Sequence, residues 1–218
     1  MMDLAAFQLL RLASPALPIG AYSYSQGMES AIEFGVVKDS ATARDWIAAQ
    51  LAGPIAQWEG PQLWAALQAD TVEALTALNE RWLASRETRE LHAETLQTGY
   101  SLQQLLRGLP GFAPELWPAT PGLPVAWALA ARQWQIAPQA ALQAYLWSWC
   151  ENQIMVLMKA LPMGQQAGQI LQGELLPQIA SATQQAMTIA QDDGSAFAPG
   201  LAFYSARHET QYSRLFRS

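Results

Sequence analysis

The stretch PQAALQAYLWSWCENQIMVLMKAL, residues 138–161, carries only two charged residues, Glu151 and Lys159, and is apolar on nearly every face. A segment of that kind suits a helix packed on all sides in an interior rather than one lying on a surface. The neighbouring VAWALAARQW, residues 125–134, has the same character, and together the two form the expected centre of the fold. No run of strict alternation is long enough to claim a strand, so the reading is all-α, a bundle of about nine or ten helices.

Upstream of this centre, residues 110–124, PGFAPELWPATPGLP, hold five prolines and two glycines and mark the longest irregular connection. Before it, RETRELHAETLQTGYSLQQLLRGL, residues 86–109, interleaves Arg and Glu at three- and four-residue spacings. That spacing predicts a long helix with one solvated face, started by Ser85. Asp70 with Glu73 has the spacing of a capping box ahead of Val72, Leu75, Leu78 and Trp82. A fourth helix is expected over about 55–67, and a third begins at Asp39 or Ser40, with Trp46, Ile47 and Leu51 inward until Gly53-Pro54 bends or ends it. Ser25 is the expected cap of a short second helix whose buried face is Met28, Ile32 and Phe34. Leu4, Phe7, Leu9, Leu10 and Leu12 suggest a first helix, stopped at Ser14-Pro15. Downstream, a helix over about 164–191 with a kink near Pro177 precedes QDDGSAFAPG and the final segment.

The whole chain of 218 residues shows no composition break, and 51% apolar against 14% charged residues predicts one globular domain. Nine tryptophans need burial in a core or under another protein. Tyr145, Trp147 and Trp149 read first as core packing and second as a dimer or partner face. Every apolar run is interrupted short of the roughly 20 residues a membrane span needs. The N-terminal MMDLAAFQLLRLASPALP lacks the positive start of a signal peptide, so a cytoplasmic location is expected. Cys150 is the single cysteine, which excludes an internal disulfide and a thiolate metal cluster. A net charge of −6 disfavours nucleic acid as a partner. The final segment SARHETQYSRLFRS, residues 205–218, opposes that charge with Arg207, Arg214 and Arg217 against the lone Glu209.

No chemistry-bearing motif emerges. His92 and His208 are too few for a histidine metal site, and each reads as a surface or hydrogen-bonded histidine. There is no phosphate-binding glycine loop, no nucleophile elbow and no zinc-protease helix motif. Glu29, Glu87 and Glu90 are available for acid–base work, but helical glutamates beside arginines are more often solvated pairs.

Three stretches in order, LLRLASPALPIGAYSYSQGMESAIE at 9–33, LMKALPMGQQAGQIL at 157–171 and the terminal SARHETQYSRLFRS, together with RETRELHAET at 86–95, resemble the urease accessory protein UreF family. Ala21 stands where that family often has a second glycine, and the 110–124 loop matches no pattern. The resemblance implies an all-helical homodimer that is not a catalyst and that carries no cofactor or metal of its own. It implies partnership with UreD (also called UreH), with the GTPase UreG and with the urease apoprotein, GTP hydrolysis being coupled to nickel insertion. The family's C-terminal tail is understood to become ordered on meeting UreD, with the arginine and tyrosine that match Arg214 and Tyr22 changing position. Lys159 falls by motif position at the UreG-facing surface, although a Lys ending an apolar helix also simply complements the helix dipole.

The residues themselves support a docking role for both ends. Prolines restrain the 14–26 loop, and Tyr22 and Tyr24 are expected to form part of a cradle for the tail. Leu215 and Phe216 seek cover there, while the Arg214 fork suits carbonyl oxygens of the irregular loop. The alternatives are an all-α enzyme using the buried carboxylates Glu29 and Glu87, or an unrelated helical adaptor.

Overall fold

The computed structural model describes residues 4–190 and 192–218. Met1 to Asp3 of the N-terminal stretch and Gln191, the expected end of the last long helix, lie outside the described residues. Ten α-helices and no strands are found among the described residues: α1 (Leu4–Leu12), α2 (Met28–Glu33), α3 (Ser40–Gln50), α4 (Gly60–Gln68), α5 (Val72–Ala84), α6 (Arg89–Arg107), α7 (Leu123–Gln133), α8 (Pro138–Ala160), α9 (Gln165–Thr188) and α10 (Pro199–His208). The all-α reading therefore holds.

Helix α8 is the axis of the bundle, packed against α9, α4, α7, α2 and α3. Leu142, Leu146, Cys150, Ile154 and Leu157 on it are buried, and one apolar cluster runs from Leu12 at the front of the chain to Phe216 near its end. Tyr145, Trp147 and Trp149 are each partly buried and packed on this cluster, with Tyr145 edge-on to Trp127 at 5.3 Å. The Trp127 indole donates to the Ala141 carbonyl at 3.0 Å, so a large apolar ring is buried without orphaning its polar edge.

Helix starts differ from expectation in instructive ways. Asp39 caps α3 as expected, in a reciprocal capping box with Thr42. The α5 cap is Thr71, which accepts from Ala74 N at 3.2 Å, in place of the expected Asp70–Glu73 box. Ser85 closes α5 instead of opening the next helix, and Thr88 caps α6. Gly27, not Ser25, takes the cap position of α2, but the Ser25 hydroxyl still accepts from Glu29 N in the first turn at 3.4 Å while donating to the carbonyl of Ser218. A contact that distant along the chain leaves no mark in local sequence.

Helix α3 passes into a π-helical segment, Leu51–Glu59, kinked at Gly53 beside Pro54, so α4 begins at Gly60, five residues later than expected. Pro177 lies inside α9, which continues past it as one element. Phe34, expected inside, is 49% exposed, with its ring near Tyr204 and the Arg207 guanidinium. The expected solvated face of α6 is partly wrong as well: Glu94 is buried and Glu90 nearly so. No helix of the described residues is long and apolar enough to cross a membrane.

Candidate functional site: the seat of the C-terminal segment

The front loop between α1 and α2 and the segment after α10 meet over one end of α6 and α8. Ser23 and Ser25 supply the main chain. Arg217 N donates to Ser23 O at 2.9 Å and Ser25 N to Ser218 O at 2.8 Å. Gln26 and Gly27 follow in left-handed conformation, φ 52° and 79°. At Gly27 a side chain would meet both an unfavourable φ and the main chain of Ser205, 3.0 Å from the Cβ position. Glycine thus lets α10 lie close on α2. The turn aims the Gln26 amide inward, where Nε2 donates to Glu94 Oε1 at 2.7 Å and Oε1 accepts from Trp149 Nε1 at 2.6 Å.

Three carboxylates, Glu29, Glu90 and Glu94, receive the terminal segment. Glu29, on α2 and 6% exposed, accepts from Leu215 N at 2.7 Å and Phe216 N at 3.1 Å. Glu94 accepts from the Ser218 hydroxyl at 2.9 Å. His208 is fully buried, with Nε2 3.0 Å from Glu29 Oε2 and Nδ1 2.7 Å from Glu90 Oε2. A neutral imidazole donates from only one nitrogen, so this arrangement is complete only with the doubly protonated ring or with one carboxyl protonated. The other oxygen of Glu90 accepts from Arg214 Nη1 at 2.9 Å.

Each expected site residue can now be placed. Phe216 is buried, and the Lys159 ammonium stands 5.3 Å from its ring centroid, a cation–π geometry that brings Lys159 to the terminal segment. Leu215 is 68% exposed, so only one of the two apolar side chains finds cover. Arg214 pairs with a carboxylate and not, as expected, with loop carbonyls, because Glu90 offers a stronger charge-assisted acceptor. Tyr22 donates to Glu151 at 2.5 Å, and burial beside that carboxylate pushes its phenol well above the usual range. Tyr24 is buried, and its carbonyl accepts from Asn152 Nδ2 at 2.9 Å. The tail's polar bonds to the loop therefore run through the main chain of Ser23, Ser25 and Gln26 and the Ser25 hydroxyl, not through the tyrosine hydroxyls. Glu29, Glu90, Glu94, His208 and Ser25 are the seat residues to which the sequence assigns no such role. The only local sign was an acid inside an otherwise apolar helix start.

Burial dominates at Glu94 and pushes its carboxyl up to about 7, with the Gln26 and Ser218 hydrogen bonds opposing the rise. The unfolded carboxyl ionises near 4.5. Between those values the folded state holds a proton the unfolded chain has released, so the contribution of Glu94 to stability is greatest below pH 4.5 and falls as pH rises to about 7. The expected loss from this group is about 3 kcal/mol. Glu94→Gln is expected to flatten that slope, checked by urea midpoints at about pH 5 and about pH 8; an unchanged slope would assign it to other groups.

The remaining chemistry is sparse. Cys150 is buried, and burial pushes its thiol up to about 12, far from a reactive thiolate. Glu87 and His92 are exposed. No group of three or more His, Cys, Asp and Glu residues is placed to hold a metal ion among the described residues. A cavity of about 60 Å³ behind the front loop, bordered by Leu17, Tyr22, Gln26, Glu94 and Asn152, has room for a few waters.

These features define an all-helical protein whose most developed polar site seats part of its own chain. The UreF family model matches residues 37–176. The chain is 53% identical to urease accessory protein UreF of Ectopseudomonas mendocina, over 98% of this chain and 99% of that one. It is 55% identical to that of Azotobacter vinelandii, over 96% and 97%, and 49% identical to that of an Azoarcus species, over 99% and 96%. The chain belongs to the UreF family of urease accessory proteins. Its role is in the maturation of urease, with other maturation factors as partners, and it is not itself a catalyst. Glu29 and Glu87 are thereby set aside as catalytic carboxylates.

Proposed function

We propose that this chain is the scaffold that joins UreD (UreH) to the GTPase UreG and couples GTP hydrolysis to nickel insertion into the urease apoprotein. It does so as a cytoplasmic homodimer of single-domain subunits, with the seated 205–218 segment as part of the ground on which UreD settles. Lys159, exposed at the end of α8 and beside Phe216, lies where UreG recruitment and the tail are felt together.

The observation that carries the reading is the exposure of Leu215 and Tyr212, 68% and complete, on a segment otherwise anchored by buried contacts. Arg214 and Arg217 flank Leu215. Tyr and Arg are the residue types enriched at interface hot spots, and here Tyr212, Arg214 and Arg217 stand on either side of an exposed leucine. Leu215→Asp is expected to leave the melting temperature nearly unchanged, since the side chain contributes little to the fold. The same change is expected to abolish co-elution with UreD in size-exclusion chromatography. Co-elution equal to that of the unaltered protein would refute the proposed landing surface.

A further inference from the structure

Two small cavities border one shielded ion pair in the body of the bundle. Arg86 Nη1 donates to Glu59 Oε1 at 2.9 Å, and the two side chains are 12% and 13% exposed. Glu59 ends the π-helical segment, and Pro54, beside the Gly53 kink, borders both cavities, so the irregular winding there keeps the neighbouring elements from closing the space. The first cavity, of about 20 Å³, is lined by Gln50 of α3 and Gln153 of α8 together with the pair. The second, also of about 20 Å³, is lined by Trp58 and Ser85 together with the pair. Gln50 Oε1, Gln153 Nε2, Trp58 Nε1 and Arg86 Nε are all buried and have no hydrogen-bond partner among the described residues. Gln50 and Gln153 are only 8% and 1% exposed, so bulk solvent does not supply one.

We infer that each cavity is a binding site for one ordered water, and that the two waters complete the hydrogen bonding around the Glu59–Arg86 pair and tie it to Gln50, Gln153 and Trp58. A buried polar atom without a partner is costly, and a buried ion pair stabilises only when its remaining donors and acceptors are also met. Size narrows the occupant, since about 10–15 Å³ holds a single water and each cavity offers little more. Chemistry narrows it further. Ammonium is small enough but cannot accept from Gln153 Nε2, Arg86 Nε or Trp58 Nε1. A halide accepts from all three but cannot donate to Gln50 Oε1, and it is repelled by the Glu59 carboxylate that borders both cavities. Water does both. In the first cavity it accepts from the Gln153 amide and donates to the Gln50 carbonyl, joining α8 to α3; in the second it accepts from the Trp58 indole. Neither site depends on the function proposed above.

The test is a high-resolution crystal structure of the full-length chain, with water–protein cross-relaxation measured by NMR on the same chain in solution. A density peak is expected about 2.7–3.2 Å from both Gln153 Nε2 and Gln50 Oε1 in the first cavity, and at the same distance from Trp58 Nε1 in the second. In solution the Trp58 indole proton, assigned by its loss in Trp58→Phe, is expected to show a water cross-peak with the sign of a long-lived neighbour. Gln153→Met keeps the length of the side chain and removes the donor, and the first peak is expected to be lost while the second stays. If that variant does not fold, the measurements on the unaltered chain decide. A cavity without a peak, a Trp58 indole without a water cross-peak, or both peaks unchanged in Gln153→Met would overturn the assignment. A peak that gains anomalous signal on soaking with bromide would also overturn it, in favour of an anion.

Discussion

His208→Ala is expected to destabilise the protein by about 3–5 kcal/mol. The imidazole is fully buried and meets a carboxyl on each nitrogen. Alanine removes both hydrogen bonds, leaves Glu29 and Glu90 facing each other across the vacated space, and opens a cavity between α2, α6 and α10. Glu29 keeps the Leu215 and Phe216 N–H groups and Glu90 keeps Arg214, but Glu90 Oε2 is left unpaired at about 1–3 kcal/mol, and the two lost hydrogen bonds with the cavity bring the total to the stated range. For a chain of this length about 2–4 °C of melting temperature is lost per kcal/mol, so a fall of roughly 10 °C is expected by calorimetry or circular dichroism. A loss below about 1 kcal/mol would mean that the two carboxyls find other donors and that these contacts are not what holds the segment.

Gly99→Val is expected to cost about 3 kcal/mol or more, again read as a lowered melting temperature with the helical signal retained. Gly99 is in the middle of α6, where an exposed glycine would be worth replacing for helix propensity. A Cβ there would stand 2.2 Å from the Pro121 carbonyl oxygen and 2.5 Å from the Gly122 carbonyl carbon. These are main-chain atoms at the entry to α7, so no side chain can swing aside. Relief requires separating α6 from the start of α7, and with it the Asn79 side chain that binds Gly122 N at 2.7 Å and Thr120 O at 3.0 Å. A neutral or stabilising outcome would show that the 110–124 loop gives way at little cost.

The helical content and the central place of α8 were legible because both depend on periodicity and apolar content, which local sequence carries directly. The Pro-rich 110–124 segment was legible as irregular for the same kind of reason, and Asp39 as a cap because its partner Thr42 is three residues away. Thr71 and Thr88 cap α5 and α6 although Asp70 and Ser85, their neighbours, are equally able to cap by type, so residue type alone does not choose between them. At the candidate site, Arg214, Phe216 and Lys159 were singled out and do meet the terminal seat, while Tyr22 is tied to Glu151 instead. Glu29, read as a solvated glutamate or a remote catalytic candidate, is the residue on which the tail's main chain converges.

Residue types and their spacing alone determined an all-helical chain, a buried axis over 138–161 and a charge-opposed final segment, and a resemblance over 9–33, 86–95, 157–171 and 205–218 pointed to the family. Only folding decided that Ser25 would meet Ser218, that Glu29 would receive Leu215 and Phe216, and that one apolar side chain of the pair would be hidden and the other shown. The reason is range. Helix periodicity and capping act over three or four residues, whereas the hydrogen bonds that tie the tail to Ser25, Glu29, Glu90 and Glu94 join groups more than a hundred residues apart, and buried carboxylates acquire their partners only when three helices and the tail close around them.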